Sequence, residues 1–210
     1  MKLRIVIADD HGIMRQGIRK IIESEADMEV IGEAACAQAA FTMITSLKPD
    51  IAILDINLPD QNGFDLLKDI RRELPELPVL FLTFHPEEIF AMRAMQAGAQ
   101  GYLCKESSSE ELVKALRKIA DGGVYVTDSM AEILARGVNK ENKKMPHERL
   151  SDREYQVLCL LAFGKSVSQI AEDLDRSPNT ISTLRKRILE KMGMENNSEL
   201  ARYAIQNQLV

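Results

Sequence analysis

The chain has 210 residues, of which 45% are hydrophobic and 28% charged, with 11 glycines and 7 prolines. This excludes a wholly disordered, collagen-like or coiled-coil chain and suits one large domain or two modest ones, while a net charge of −5 excludes a uniformly basic nucleic-acid coat but not a local basic element. No run approaches the roughly 18 apolar residues of a membrane span, and three scattered cysteines (Cys36, Cys104, Cys159) suggest reduced thiols in a cytoplasmic protein.

In the first half, short apolar runs alternate with helical periodicity. The strand candidates are Leu3–Ala8, Glu29–Gly32, Ile51–Leu54, Val79–Leu82 and Gly101–Leu103. Met14, Ile18, Ile21 and Ile22 share one helical face, as do Leu112, Leu116 and Ile119. Ser107 or Ser108, with Glu110 or Glu111 three residues on, offers a capping box. Five strand–helix units predict a parallel sheet with helices on both faces. After Gly122-Gly123 the pattern changes: Val124–Arg136 suits one short helix, and Gly137–His147 is polar and basic, as a tether is. From Leu150 onward every segment reads as helix.

Asp9 and Asp10 follow the first strand, Asp55 the third, Thr83 the fourth and Lys105 the fifth. Open parallel sheets bind ligands beyond the carboxyl ends of their strands, so these side chains are expected to converge. Three carboxylates at one spot repel and call for a divalent cation; an all-oxygen site that also holds phosphate suits Mg²⁺. A carboxylate beside such a metal can attack a phosphoryl group, with Lys105 and the Thr83 hydroxyl available to the phosphoryl oxygens. Rival chemistries fit less well. A haloacid-dehalogenase-type phosphatase needs a second Asp two residues after its nucleophile, where this chain has Asn57. No G-x-G-x-x-G follows the first strand, and no Ser/His/Asp set has local support. His11 is expected in the loop before the first helix, and His85 beside the site.

The motifs IADD (Ile7–Asp10), ILDINLPDQNG (Ile53–Gly63), LTFH (Leu82–His85) and GYLCK (Gly101–Lys105) make residues 1–120 resemble the receiver domain of two-component response regulators. The resemblance implies a flavodoxin-like, doubly wound five-stranded α/β fold. It implies that a sensor histidine kinase phosphorylates Asp55, and that the only enzymatic activity is Mg²⁺-dependent self-phosphorylation and dephosphorylation there. Asp10 and Asp55 would bind Mg²⁺ directly, Asp9 through water and Asn57 through its backbone carbonyl. Thr83 and Tyr102 resemble the switch pair, with Tyr102 expected to turn inward on phosphorylation, and Lys105 the phosphate-binding lysine. Pro59 and Gly63 match the loop after the phosphorylated strand. Phe84 is bulkier than usual after the switch threonine, and Glu106 replaces the proline that often follows the lysine.

In the second half, Ile170, Ala171 and Leu174 form a short apolar face, Asp175-Arg176-Ser177 a turn, and Ser177-Pro178 an N-cap and first helical residue. Ile181, Leu184 and Ile188 are expected inward, while Ser182, Thr183 and Lys186 share another face. Between Pro178 and Met192 four basic residues (Arg185, Lys186, Arg187, Lys191) face one acidic residue, Glu190, a local charge of +3. That suits a helix in the DNA major groove, as it also suits an ordinary solvated helix.

The segments LSDREYQVL (Leu150–Leu158), AFGKSVSQIAEDL (Ala162–Leu174) and SPNTIS…RILEKMG (Ser177–Gly193) resemble the LuxR-type helix-turn-helix domain. Together the two resemblances identify the organisation of NarL/FixJ-family response regulators: a receiver at 1–121, a linker at 122–147 and an all-α four-helix DNA-binding domain at 148–210. They imply a transcription factor controlled by phosphorylation, with duplex DNA, a second copy of the chain and RNA polymerase as partners, and no membrane. Ser182, Thr183 and Lys186 would contact bases, and Lys165, Thr180, Arg185 and Arg187 phosphates. Glu154 looks like the family's buried acid, and the helix Ser198–Asn207 like its dimerisation element. Leu184 stands where His is frequent, and Ser182 where some relatives have Lys. The alternative is a receiver-containing adaptor that acts through protein contacts.

Overall fold

The structure, a computed structural model, describes residues 2–85, 87–132, 145–207 and 209–210. The chain divides into two compact units, Met1–Leu134 and Ala135–Val210.

The first unit alternates strand and helix: β1 (Leu3–Ala8), α1 (Gly12–Glu23), β2 (Met28–Ala34), α2 (Ala37–Leu47), β3 (Ile51–Leu54), α3 (Gly63–Glu73), β4 (Val79–Thr83), α4 (Glu87–Gln96), β5 (Gly101–Cys104) and α5 (Ser109–Ala120). All strand pairs are parallel, in the order β2–β1–β3–β4–β5. The central strands are buried on both faces, which explains why IVIA, IAIL and VLFL are continuous apolar runs without alternation. Ile5 and Ile7 of β1, Ile18 and Ile22 of α1, Leu80 of β4 and Leu112, Leu116 and Ile119 of α5 share one core.

Local signals set the helix starts. Ser108 caps α5 in a reciprocal box with Glu111. Asn62 caps α3 by accepting from Phe64 N at 2.9 Å. Gly63, the first residue of α3, lies against the backbone of β3's end: a Cβ there would stand 2.2 Å from Asp55 O. Only glycine permits this approach, which lets Gly63 N donate to Ile56 O and folds the loop after β3 back on itself.

Several boundaries differ from the sequence reading. β2 extends to Met28 and Ala34, and β4 and β5 each gain one residue, since ladder pairing outlasts the strongly apolar positions. The helix expected at Val124–Arg136 begins only at 128, and residues 128–132 are helical while 133–136 lie outside the described residues. Tyr125 pairs with Gly101 at the sheet edge and is buried, and 124–127 stay outside the helix. The expected tether Gly137–His147 lies outside the described residues up to 144, and Pro146 and His147 belong to a 3₁₀ turn, Pro146–Arg149.

The second unit is helical among its described residues: α6 (Asp152–Ala162), α7 (Val167–Asp173), α8 (Pro178–Met192) and α9 (Asn197–Gln206). Capping boxes Ser151/Glu154 and Ser166/Gln169 open α6 and α7. Ser177 caps α8 ahead of Pro178, and Gly193 ends it in the left-handed conformation at φ 65°. Leu158, Ile170, Ile181, Ile188 and Leu200 fill the core between these helices. Among the described residues no helix is long and apolar enough to cross a membrane.

Candidate functional site

The carboxyl ends of β1, β3, β4 and β5 bring Asp9, Asp55, Thr83 and Lys105 to one edge of the first unit. Backbone bonds continue the ladder past the strands: Asp9 N donates to Ala34 O, Asp55 N to Ala8 O, and Lys105 N to Thr83 O. Arg15 adds a brace, its guanidinium donating to Asp9 O at 2.6 Å.

Asp9 and Asp55 are buried at 1% and 2% exposure, and the Lys105 side chain at 0%. The Lys105 ammonium lies 2.6 Å from Asp55 Oδ2 and 2.7 Å from Asp9 Oδ2, so one cation is shared by two buried anions. Burial pushes the Asp55 carboxyl above the ordinary aspartate range, against the opposing pull of Lys105 and with a smaller push from Asp9. Asn57 N donates to Asp55 Oδ1 at 3.2 Å.

His11 joins this cluster. Its Nδ1 stands 2.7 Å from Asp10 Oδ1 and 3.4 Å from Asp9 Oδ1, and its backbone N–H donates to Asp9 Oδ1. Ligand atoms of Asp9, Asp10, His11 and Asp55 lie within 4.8 Å of one another. Asp9 Oδ2 and Asp10 Oδ1 are buried atoms without an aligned hydrogen bond, although Lys105 and His11 stand at ion-pair distance from them. Hard oxygen donors with unfilled acceptor capacity fit a small divalent cation.

Thr83 is fully buried, and its Oγ1 has no hydrogen-bond partner among the described residues. An orphaned buried hydroxyl costs stability and is uncommon in folded proteins. Phe84, half exposed, meets the His11 ring edge-on at 5.9 Å, and Lys105 Nζ lies 5.0 Å from the Phe84 ring centre. His85 Nε2 approaches Asn57 Oδ1 at 3.4 Å. The Tyr102 ring is fully buried in this structure, the hydroxyl donating to His85 O at 2.9 Å. No peptide bond among the described residues is cis, including that between Lys105 and Glu106.

In the second unit, α8 presents Ser182, Thr183, Lys186 and Arg187 on exposed positions, while Ile181 and Ile188 are buried and Leu184 half-buried. Other basic groups are engaged inside the unit. Arg185 Nε donates to Asn197 Oδ1 at 2.6 Å, Lys191 reaches Glu154 at 2.6 Å, and Lys165 pairs with Asp173 at 2.6 Å. Thr180 belongs to the Ser177 cap through its N–H and hydroxyl. Arg185 keeps its charge but its guanidinium is held by a neutral amide, and Lys191 is paired with Glu154, so the basic groups of α8 least engaged by the rest of the unit are Lys186 and Arg187.

Residues 5–117 match the response regulator receiver domain family, and residues 148–204 the luxR family of bacterial regulatory proteins. The chain is 32% identical over 209 residues to the response regulator GacA of Pseudomonas aeruginosa, covering 99% of this chain and 98% of that one. It belongs to the NarL/FixJ family of two-component response regulators. Other members are comparably similar: UvrY of Escherichia coli is 31% identical across 99% of this chain and 95% of its own, and LiaR of Bacillus subtilis 32% across 99% of each. Among solved structures, a complex of the response regulator RcsB with DNA is 30% identical over the full length of both chains, with a TM-score of 0.61. RcsB from Salmonella enterica serovar Typhimurium, bound to the promoter rprA with the phosphomimetic BeF₃⁻, gives 0.64 at 30% identity, covering 97% of this chain and 98% of that one.

This response regulator therefore carries a receiver and a LuxR-type DNA-binding domain, and is a transcription regulator; the adaptor alternative draws no support from these likenesses. Within the family frame, Asp9, Asp10, Asp55, Thr83 and Lys105 are brought together as expected, with Asn57 and His85 at the rim. His11 lies in the loop before α1, as expected, but the sequence reading did not foresee its contact with Asp10. Its adjacency to Asp10, at the N-cap of α1, was the available signal.

Proposed function

We propose that this response regulator is switched by phosphoryl transfer to Asp55 and that α8 reads duplex DNA. A sensor histidine kinase supplies the phosphoryl group. An Asp55 carboxylate oxygen attacks phosphorus, the P–O bond forms as the P–N bond to the donor imidazole breaks, and the imidazole leaves with a proton. Asp10 and Asp55 would hold Mg²⁺, with Asp9 behind them and the Asn57 carbonyl as a further ligand. When bound, the metal neutralises charge on the transferring phosphoryl oxygens. Lys105 already stands at Asp55 and offers its ammonium to the same oxygens. Thr83, with its unpartnered hydroxyl, is the donor that phosphorylation would recruit. The reverse step, hydrolysis of the acyl phosphate, is the only other chemistry assigned.

The single observation behind this reading is the pairing of a buried, lysine-bound Asp55 with an orphaned Thr83 hydroxyl. Recruitment of Thr83 shifts the β4–α4 region between two populations and so alters DNA affinity and dimer formation. On α8, Ser182, Thr183 and Lys186 face bases and Arg187 a phosphate. The second unit binds as a dimer through α9, in the cytoplasm, and engages RNA polymerase. The division into receiver 1–121, linker 122–147 and DNA-binding domain 148–210 accompanies this reading.

Wild type and Asp55→Asn are incubated with a small phosphodonor, with and without EDTA, and the intact proteins are weighed. Wild type gains one phosphoryl group only when divalent cation is present, and Asp55→Asn gains none. An equal gain in the variant overturns the assignment.

A further inference from the structure

The exposed face of α8 carries a hydroxyl whose proton is already committed. Thr183 shares that face with Ser182 and Lys186, yet its Oγ1 donates to the carbonyl of Asn179, one turn earlier, at 2.9 Å. Threonine adopts this back-bond in helices because one χ1 well aims Oγ1 at the preceding turn. The Cγ2 methyl then takes one of the two staggered positions that lay side chains over the helix surface. To donate to a base, Thr183 would have to give up the bond it holds. Ser182 makes no such bond among the described residues, so its hydroxyl is available in both directions. Lys186 is 80% exposed, and its nearest carboxylate, Glu190, stands 4.0 Å away. Three neighbours thus offer three chemistries: a free hydroxyl, a methyl and an ammonium.

In the major groove only thymine presents a methyl on its edge, and apolar contact is the way such a group is read. Guanine N7 and O6, adenine N7 and thymine O4 are acceptors, which a hydroxyl with its proton engaged elsewhere serves poorly. We propose that Thr183 selects thymine through methyl–methyl contact, and not through its hydroxyl. The proposal rests on the reading of α8 as the recognition helix and adds to it the base that one position prefers.

The two conservative replacements separate the possibilities. Thr183→Val keeps the methyl and removes the hydroxyl; Thr183→Ser does the reverse. Both sit on an exposed position, away from the buried Ile181 and Ile188. Full-length protein treated with a small phosphodonor is used to select sites from random duplexes. Each thymine of the selected half-site is then replaced in turn by uracil, which lacks only the methyl. Wild type is expected to bind about four-fold more weakly when the contacted thymine becomes uracil, the value of one buried methyl group. Thr183→Val keeps that discrimination, and Thr183→Ser binds the thymine and uracil duplexes alike. If Thr183→Ser still discriminates, or Thr183→Val does not, the methyl reading is overturned. Sequence enrichment with no sensitivity to uracil at any position also overturns it, while leaving α8 as the recognition helix. If no sequence is enriched at all, the recognition-helix reading falls and the proposal falls with it.

Discussion

Lys105 and Asp55, fifty positions apart in sequence, meet at 2.6 Å in a site from which both side chains are almost wholly shielded. The same ammonium holds Asp9 at 2.7 Å. Removing one member of a buried ion pair leaves uncompensated charge, typically at a cost of about 3–5 kcal/mol. Lys105→Met should therefore destabilise the first unit by about 3 kcal/mol at neutral pH in EDTA. Because burial raises the Asp55 carboxyl in the fold, its contribution is present below the ordinary aspartate range and is lost as pH rises through the folded value. The deficit of Lys105→Met should then narrow on acidification. Denaturant titrations at pH 7 and pH 5 check this, and a deficit independent of pH would mean that charge compensation is not what Lys105 supplies.

Thr83→Ala separates stability from signalling. The Oγ1 atom has no partner in the unphosphorylated fold, so its loss removes a buried polar group without breaking a bond. Unfolding free energy should change by less than about 1 kcal/mol. Phosphorylation of Asp55 should proceed, but its effect on DNA affinity should disappear. A tenfold phosphorylation-dependent gain corresponds to about 1.4 kcal/mol of coupling, and Thr83→Ala should reduce it to near zero. Measuring affinity before and after phosphorylation decides the matter; an undiminished gain would show that the coupling bypasses Thr83.

Glu154 gives the second unit its own pH dependence. Burial resists ionisation of this carboxylate, but hydrogen bonds from Lys191 and Ser151 outweigh it and hold the carboxyl below the ordinary glutamate range. A group depressed in the fold contributes stability above its unfolded value, and that contribution is lost as pH falls through the folded one. The α6 region should thus loosen below about pH 4. Glu154→Gln keeps the capping geometry and should flatten that acid limb. Glu154→Ala also loses the cap and should cost about 1 kcal/mol more at neutral pH. Amide hydrogen exchange along 152–162 in the full chain reads both effects.

The sheet was legible because its central strands are uninterrupted apolar runs, and the site because acids, threonine and lysine stand directly after them. The caps at Ser108 and Ser177 were equally readable, since each needs only a local residue pattern. What escaped the sequence depends on distant partners. Glu87, at the start of α4, accepts from Thr127 and Ser129, binding the segment after α5 to the element that follows the Thr83 loop. No spacing rule connects positions forty residues apart. Arg71 likewise donates to Leu77 O and Gly98 O, where its charge alone suggests a solvated face. Which basic side chains of α8 are engaged escaped for the same reason, because a count of arginines and lysines does not reveal which have found acceptors within the fold.

Arg185 and Arg187 are two positions apart on α8 and should behave differently. Arg187 is exposed, whereas Arg185 donates to Asn197 at 2.6 Å and links α8 to α9. A freed phosphate contact lowers affinity for every sequence and reduces the slope of log affinity against log salt by about one unit. Arg187→Ala should show that signature with little change in stability. Arg185→Ala should instead lower the unfolding free energy of the second unit by about 1 kcal/mol, through the lost hydrogen bond, and leave the salt slope nearly unchanged. Lys186→Ala supplies the contrast, because a base contact carries about 1–3 kcal/mol of discrimination and should be missed on the selected site more than on a scrambled one. Salt titrations of the three variants on both duplexes, with thermal unfolding alongside, test the assignment. If Arg185→Ala reduces the slope as much as Arg187→Ala does, the bond to Asn197 yields when DNA arrives, and both arginines are phosphate contacts.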